Sequence, residues 1–395
     1  MIPSLLPNVG APDLVACLRV WKDEEAAYLA SARQVFAIEH AATVASARAG
    51  LFHILRAHDV IGKDVLVTAY TCCVVTEAIV QSGNRPVVVD VEENSINADI
   101  TEELIDKHRT NLGAVILTSL FGLADFLVPR ARRGQGFLII LDAALAPGAI
   151  PAAPHEAFDY IYSSGGVRKP LTSLGGGTVL TAHATNVATL SQYLARTIKP
   201  RSAYDRAAGM GWAMAYFLAF RPGAYELSSL LRRKTTLLDG FFSERSHELG
   251  AQNPQYLHDM RGYQKRVGTL QLAGLAETQQ RRREIGNLYR QLLAPRFPDA
   301  AGYWRADVPY SHFPFLHPRR DALQQHLLEA GIDVERYFDY AIPEIEAYQM
   351  ADDCPRAKRL GREMLNLPMH HKLTDADIHR IVGEIVRFDP GVSHG

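Results

Sequence analysis

The sequence predicts an α/β fold: a mainly parallel sheet held between helices, with a smaller α+β domain at the C-terminal end. Three observations predict it. Short apolar runs recur through the first half of the chain, each separated from the next by a helical pattern. Those runs are apolar throughout rather than alternating, as in strands covered on both faces. From about residue 258 the pattern changes to a long polar helix, short strands and further helices.

Taken in order, residues 42–58, ATVASARAGLFHILRAH, read as a turn running into an amphipathic helix. DVLVTAY, residues 64–70, is a short apolar strand, and TCCVVTEAIVQSG is a helix stopped at Gly83. RPVVVDV is the next strand. TEELIDKHR is a helix opened by Thr101 as N-cap, with acid in its first turn. AVILTSLFG and FLIILDA are buried strands, followed by YIYSS and GTVLTA. From about 183 to 257 three helical stretches follow: TNVATLSQYLARTI, GMGWAMAYFLAF and AYELSSLLRRKTTLL. The middle one is apolar on most sides, which suits a core or a subunit interface. A polar helix over 269–293, a helix at DALQQHLLEAG and a final helix at DADIHRIVGEIVRF complete the chain. The expected division is a large domain over 1–257, including the helical segment, and a small domain over 258–395 that begins with the linking helix.

Composition narrows the function. The 395 residues are 47% hydrophobic and 22% charged with a formal net charge of -1, so bulk attraction to nucleic acid or to an acidic membrane surface is not expected. No apolar run is long enough to predict a membrane span. The arginine run at 281–283 reads as a solvated helix face. The N-terminal residues carry prolines and an aspartate where a signal peptide needs an apolar core. Cys17, Cys72, Cys73 and Cys354 match neither a disulfide framework nor a zinc site, so a cytoplasmic location and no metal are expected. His370 and His371 have no acid or cysteine at metal-ligand spacing and read as structural or near a substrate entrance.

In a parallel sheet the ligand crevice lies at the carboxyl ends of the strands, which makes Asp142, Ser164 and Tyr70 candidates by position. The loop SSGGVRKPLTSLGGG, residues 163–177, sets Lys169 between two glycine clusters. A phosphate loop needs lysine directly after glycine and then serine or threonine, but Arg168 precedes Lys169 and Pro170 follows it. Two readings remain: a solvated loop lysine, or an amine kept reactive toward a carbonyl, with Arg168 supplying a neighbouring cation.

Seven segments in order resemble the DegT/DnrJ/EryC1/StrS family of pyridoxal-phosphate aminotransferases, of aspartate-aminotransferase fold type I, which implies a sheet of the seven-stranded type in the large domain. They are ASARAGLFHILRA, VLVTAYTCCVVTEAIVQSGNRPVVVDVE, LIILDAALAPGA, FDYIYSSGGVRKPLTSLGGGTVLT, RGYQKRVGTLQLAGLAETQQRRREIGNLY, HLLEAGIDV and CPRAKRLGREMLNLPMHHKLTDADI. The resemblance implies pyridoxal 5'-phosphate as cofactor, Lys169 as its Schiff-base lysine and Asp142 facing the pyridine nitrogen, where an ionised carboxylate keeps the ring an electron sink. It implies Ser164 and the helix start at Ala47 and Arg48 as the phosphate site, with Arg48 adding charge. Gln264 occupies the place of a family asparagine that reaches the phosphate of the partner subunit, which implies a homodimer with shared active sites. Cys72 stands where the family has an aromatic ring over the cofactor, with Tyr70 a candidate to compensate. Leu145 stands where a glutamine or histidine bonds the ring hydroxyl, a bond leucine cannot make. DYAIPEIEAY, residues 339–348, lacks a histidine the family often carries near its substrate pocket. The function implied is transfer of an amino group from an amino acid, glutamate by analogy, to a keto group of a nucleotide-linked sugar or cyclitol, both small-molecule substrates. The alternatives are a dehydratase or lyase on a related substrate, and a non-catalytic member acting as partner or regulator.

Overall fold

The computed structural model of the chain describes residues 1–19, 22–98, 100–124, 136–148, 155–219, 253–348 and 353–391. Two short helices, α1 (Ala11–Leu18) and α2 (Glu24–Phe36), precede the first strand, β1 (His40–Val44). Then come α3 (Ala47–Ala57), β2 (Asp64–Thr68), α4 (Cys73–Gln81), β3 (Arg85–Val89), α5 (Glu102–His108), β4 (Leu112–Thr118), β5 (Leu138–Asp142), β6 (Tyr160–Ser164) and β7 (Gly177–Thr181). The seven strands form one sheet in the order β1-β7-β6-β5-β4-β2-β3. The run from β6 to β3 is parallel, while β7 lies antiparallel to both β6 and β1. Strands β2, β4, β6 and β7 are buried along their whole length, which is why they read as unbroken apolar runs. Side chains on the two faces pack under the helices as separate apolar clusters, one built around Val65, Val67, Ile116 and Ile140, the other around Leu66, Val115, Leu117 and Leu141.

Helix boundaries follow the expected signals. Thr101 caps α5 by accepting from the Leu104 amide at 3.3 Å, and α4 ends at Ser82 just before Gly83, whose φ of +90° suits glycine. Two expectations change. Residues 42–44, expected in a turn, are the end of β1; its pairing partner is β7, far along the chain, and its half-buried Ala and Thr carry little strand signal. The polar helix over 269–293 is two helices, α8 (Gly262–Ala273) and α9 (Leu275–Leu293), separated at Gly274. Ahead of them run α6 (Ala184–Thr197) and α7 (Ala203–Ala219). Helix α7 buries Gly209, Ala213 and Tyr216 and leaves Tyr204, Trp212 and Leu218 exposed. The stretch AYELSSLLRRKTTLL lies outside the described residues.

The C-terminal layer holds a two-stranded antiparallel sheet of β8 (Phe313–Leu316) and β9 (Met364–Leu367). Around it lie α10 (Arg320–Glu329), α11 (Pro355–Glu363) and α12 (Asp375–Phe388). The first residues of the chain join this layer, since Ile2 bridges to Ile332 and the Ser4 hydroxyl bonds Asp333 and Glu335. Among the described residues no helix is long and apolar enough to cross a membrane.

Candidate active site

The carboxyl ends of β5 and β6 and the N-terminus of α3 surround one cavity of about 390 Å³. Its wall includes Ala47, Arg48, Cys72, Asp142, Ser164, Lys169 and Gln264, seven of the eight residues that the resemblance places at the lysine and cofactor positions. The eighth, Leu145, is buried and lines a small adjoining space together with Asp142, Lys169 and Cys72.

The glycines of the 163–177 loop have a geometric cause. Gly175 and Gly176 adopt φ of +116° and +87°, and a Cβ at Gly176 would sit 2.7 Å from Met260 Cε. A Cβ at Gly177 would sit 2.5 Å from the Ala47 backbone nitrogen. The loop thus runs close beneath the start of α3, where Ser46 bridges to Gly176 and caps the helix through the Ala49 amide at 3.2 Å. This approach brings Lys169, on the same loop, to the cavity that the helix N-terminus faces. Helix α4 begins at Cys73 with Cys72 as its N-cap residue, so a second helix start borders the same space.

Asp142 ends β5 with its carboxylate only 6% exposed, and Oδ1 accepts from the Ala144 amide at 2.9 Å. Burial pushes its carboxyl above the usual range, against the Ala144 amide, the Tyr162 side chain and the nearby Lys169 ammonium, which favour the ionised form. Lys169 Nζ donates to the Tyr337 hydroxyl at 2.8 Å. Tyr337 is held by His312, with ring centroids 4.1 Å apart, and by Phe338 at 4.8 Å. The expected role of Arg168 is changed here: its guanidinium pairs with Glu335 at 2.7 Å, so its charge is met by a carboxylate. Burial pushes the Glu335 carboxyl up, but Arg168 and the Ser4 hydroxyl outweigh it and hold it below the usual range.

Ser164 Oγ accepts from the Gly166 amide at 3.2 Å, and its position on the cavity wall leaves the hydroxyl free to donate inward. Arg48 lies 4.0 Å from the buried Glu77 carboxylate. Gln264 is buried and lines the cavity of its own chain; its amide donates to the Leu174 carbonyl and accepts from the Arg261 amide, both at 3.0 Å. Tyr70 is placed away from the cavity: it packs edge-on against Phe338 and donates to the Phe338 carbonyl at 3.2 Å, so it supplies no ring to replace the aromatic absent at Cys72. His370 and His371 also stand outside the cavity wall; burial pushes their imidazoles down to about 3 and about 4, as expected of packed, neutral rings. Among the described residues no group of three or more His, Cys, Asp or Glu is placed to hold a metal.

Tyr162, Tyr337, Arg201, Tyr256 and Arg261 join the site without any sequence reading having selected them. Tyr162 sits within YIYSS, where its inward strand position beside Asp142 was readable from the alternation of β6. For the other four no local pattern exists.

A donor set of one lysine amine, one buried carboxylate, one hydroxyl and a helix N-terminus around a cavity this size suits an aldehyde-bearing aromatic phosphate. The family model for the DegT/DnrJ/EryC1/StrS aminotransferase family matches residues 23–187 and 238–386. The chain belongs to that family. It is therefore an enzyme of the aminotransferase type, and its fold is that of the family's solved members. A relative from Saccharopolyspora spinosa, a dTDP-4-dehydro-2,3,6-trideoxy-D-glucose 4-aminotransferase, is 31% identical over 140 residues, 32% of this chain and 34% of that protein. The chain thus matches about a third of that relative's length. A pleiotropic regulatory protein from Geobacillus stearothermophilus is 24% identical over 83% of this chain and 78% of its own. Among solved structures, a provisionally named sugar aminotransferase from Streptococcus pneumoniae, in its PMP form, superposes with a TM-score of 0.72 at 18% identity, covering 98% of both chains. In the DegT/DnrJ/EryC1/StrS chain described here, residues 188–237 fall outside the family match.

Proposed function

We propose that the chain is a pyridoxal 5'-phosphate-dependent aminotransferase that moves an amino group from an amino acid, glutamate by analogy, to a keto group on a nucleotide-linked sugar or cyclitol. One observation carries this reading: Lys169 and the buried Asp142 carboxylate meet on a cavity that a helix N-terminus also faces. The Ala47 and Arg48 amides at the start of α3, the Arg48 guanidinium and the Ser164 hydroxyl would hold the cofactor's phosphate. Asp142 would face the ring nitrogen and favour a proton there. That pairing offsets the cost of a carboxylate buried with one backbone hydrogen bond. When bound, the cofactor supplies an electron sink for the carbanion at the donor carbon. Lys169 would hold the cofactor through its amine, and as a free amine its Nζ would take the α-proton of a bound amino donor and return a proton to the product side. The Tyr337 hydroxyl holds the freed amine within reach through the 2.8 Å contact. Leu145 carries no hydrogen-bonding group, so it would add no polar contact to the cofactor's ring.

The proposed division of labour places cofactor binding on residues 1–257 and the linking helix and small α+β layer on residues 258–395. A homodimer belongs to this reading by analogy with the family, although Gln264 lies on the cavity of its own chain, and the protein works in the cytoplasm. The relative named as a pleiotropic regulatory protein supports the second reading, a family member acting as a regulator. Retention of both Lys169 and Asp142 at one cavity favours catalysis, and the lysine also weighs against a dehydratase that replaces it with histidine. The test is a half-reaction: purified protein loaded with the cofactor is mixed with glutamate, and 2-oxoglutarate is measured. Stoichiometric release that Lys169→Ala abolishes supports transamination. No release with glutamate or with other amino acids refutes it.

A further inference from the structure

Two cations meet at one ring. The Arg168 guanidinium lies 5.3 Å and the Lys169 amine 5.4 Å from the Tyr337 ring centroid, and the Tyr337 hydroxyl accepts from that amine at 2.8 Å. Like charges oppose each other's ionised forms, so an unbalanced guanidinium would drive the proton off the amine. The balance comes from Glu335, whose Oε2 accepts from Arg168 Nη2 at 2.7 Å. Two neighbours on the lysine loop thus meet an acid and a phenol that stand two residues apart on one facing segment. Asn366 of β9 fixes both: the Glu335 amide donates to its carbonyl at 3.1 Å, and the Tyr337 amide donates to its Oδ1 at 3.0 Å. The Ser4 hydroxyl, 3.0 Å from Glu335 Oε1, holds the second carboxylate oxygen.

The other groups around this cluster do not replace Glu335. His312 Nε2 is 4.0 Å from Glu335 Oε2. Burial holds the His312 imidazole down to about 3; Glu335 opposes this, while Arg168, Arg282 and Lys169 add to it, so the ring is neutral at neutral pH. Lys169 also faces the buried Asp142 carboxylate, and Arg48, Arg201 and Arg261 lie on the same cavity wall. We propose that Glu335 is a positioning residue for the proton of Lys169: by neutralising Arg168 it keeps the amine protonated at neutral pH. That proton is the one the amine returns to the product side. This use of it rests on the aminotransferase reading; the charge balance does not. Arg168 is then a fastener, tying the lysine loop to the segment that carries Tyr337 without stripping the amine of its proton.

Competitive labelling tests this on the full-length protein without cofactor. A trace of acetic anhydride is added across a pH series, and acetylation of Lys169 is read by peptide mass spectrometry, since only the neutral amine reacts. Wild-type Lys169 reaches half-labelling above neutral pH; half-labelling below neutrality overturns the proposal. Glu335→Gln keeps the shape of the side chain and removes its charge. Its half-labelling pH falls by about one unit, a tenfold gain in the neutral fraction at a given pH. Arg168→Gln/Glu335→Gln removes the orphaned cation as well and returns the midpoint to the wild-type value. A loop loosened by the lost ion pair would stay loose in the double variant, so the rescue separates charge balance from packing. Arg168→Gln alone leaves the carboxylate facing the amine and raises the midpoint. An unchanged midpoint in Glu335→Gln overturns the proposal, as does a fall that persists in the double variant or a fall in Arg168→Gln. If labelling behaves as predicted but glutamate yields no 2-oxoglutarate from the loaded protein, the charge balance stands and the aminotransferase reading falls.

Discussion

Replacing Asp142 by asparagine separates the role of this side chain in the empty protein from its role in the loaded one. Asp142 is 6% exposed and its carboxylate accepts from the Ala144 amide at 2.9 Å. Its folded pKa is raised by burial above the unfolded value, so the folded cofactor-free protein binds more protons than the unfolded chain in the window between them. Stability in that window therefore falls as pH rises, by up to about 1.4 kcal/mol per pH unit for a single proton. Below the unfolded value the effect is absent; above the folded value the full penalty is present. Asparagine carries no charge, so cofactor-free Asp142→Asn should be more stable than wild type near neutral pH and no different in acid. In the loaded protein the sign reverses. The carboxylate then pairs with a protonated ring nitrogen, a charge-assisted contact of about 2 kcal/mol, so the variant should bind the cofactor roughly 30-fold more weakly. Urea denaturation of the cofactor-free proteins across the pH range gives the first quantity, and titration with pyridoxal phosphate gives the second. Equal cofactor affinities in wild type and variant would refute the pairing. A cofactor-free variant less stable than wild type at neutral pH would refute the burial argument.

Three further outcomes are expected. Tyr337→Phe removes the acceptor of the Lys169 amine at a half-buried contact and should slow the glutamate half-reaction about tenfold, with glutamate affinity nearly constant, in single-turnover kinetics; a change confined to affinity would place Tyr337 in substrate binding instead. Gly177→Ala forces a methyl to within 2.5 Å of the Ala47 backbone nitrogen, so the loop and the α3 start must separate; cofactor affinity should drop sharply in a titration while the far-ultraviolet dichroism spectrum persists. Leu145→Gln buries an amide with no partner in the cofactor-free protein, at a cost of about 1–3 kcal/mol in urea denaturation, and should recover most of that on loading if the amide reaches the ring hydroxyl.

Much of the site was readable because its parts lie on local patterns. FLIIL followed by an aspartate places a carboxylate at a strand's carboxyl end, and β5 ends at Asp142. The triple glycine around residue 176 signalled unusual backbone, which the positive φ values and the approach to α3 explain. What escaped depends on contacts between distant parts of the chain. Tyr337 meets Lys169 across 168 positions, and Glu335 meets Arg168 across 167, so neither the amine's partner nor the neutralisation of its neighbouring cation has a local signature. Strand β1 escaped for the same reason, since its pairing with β7 defines it more than its own residues do. Gly274 shows a different limit: an isolated glycine within a helical pattern is tolerated in some helices and ends others, and the neighbours here do not decide which.

The claim on which the account depends is a covalent bond between the amine of Lys169 and the cofactor's aldehyde. Borohydride reduction of the loaded protein, followed by peptide mass spectrometry, tests it directly. The account predicts a reduced pyridoxyl adduct on Lys169 that is absent from protein reduced without cofactor. An unmodified Lys169 after reduction of protein shown to hold pyridoxal phosphate, or an adduct at another lysine, would contradict it.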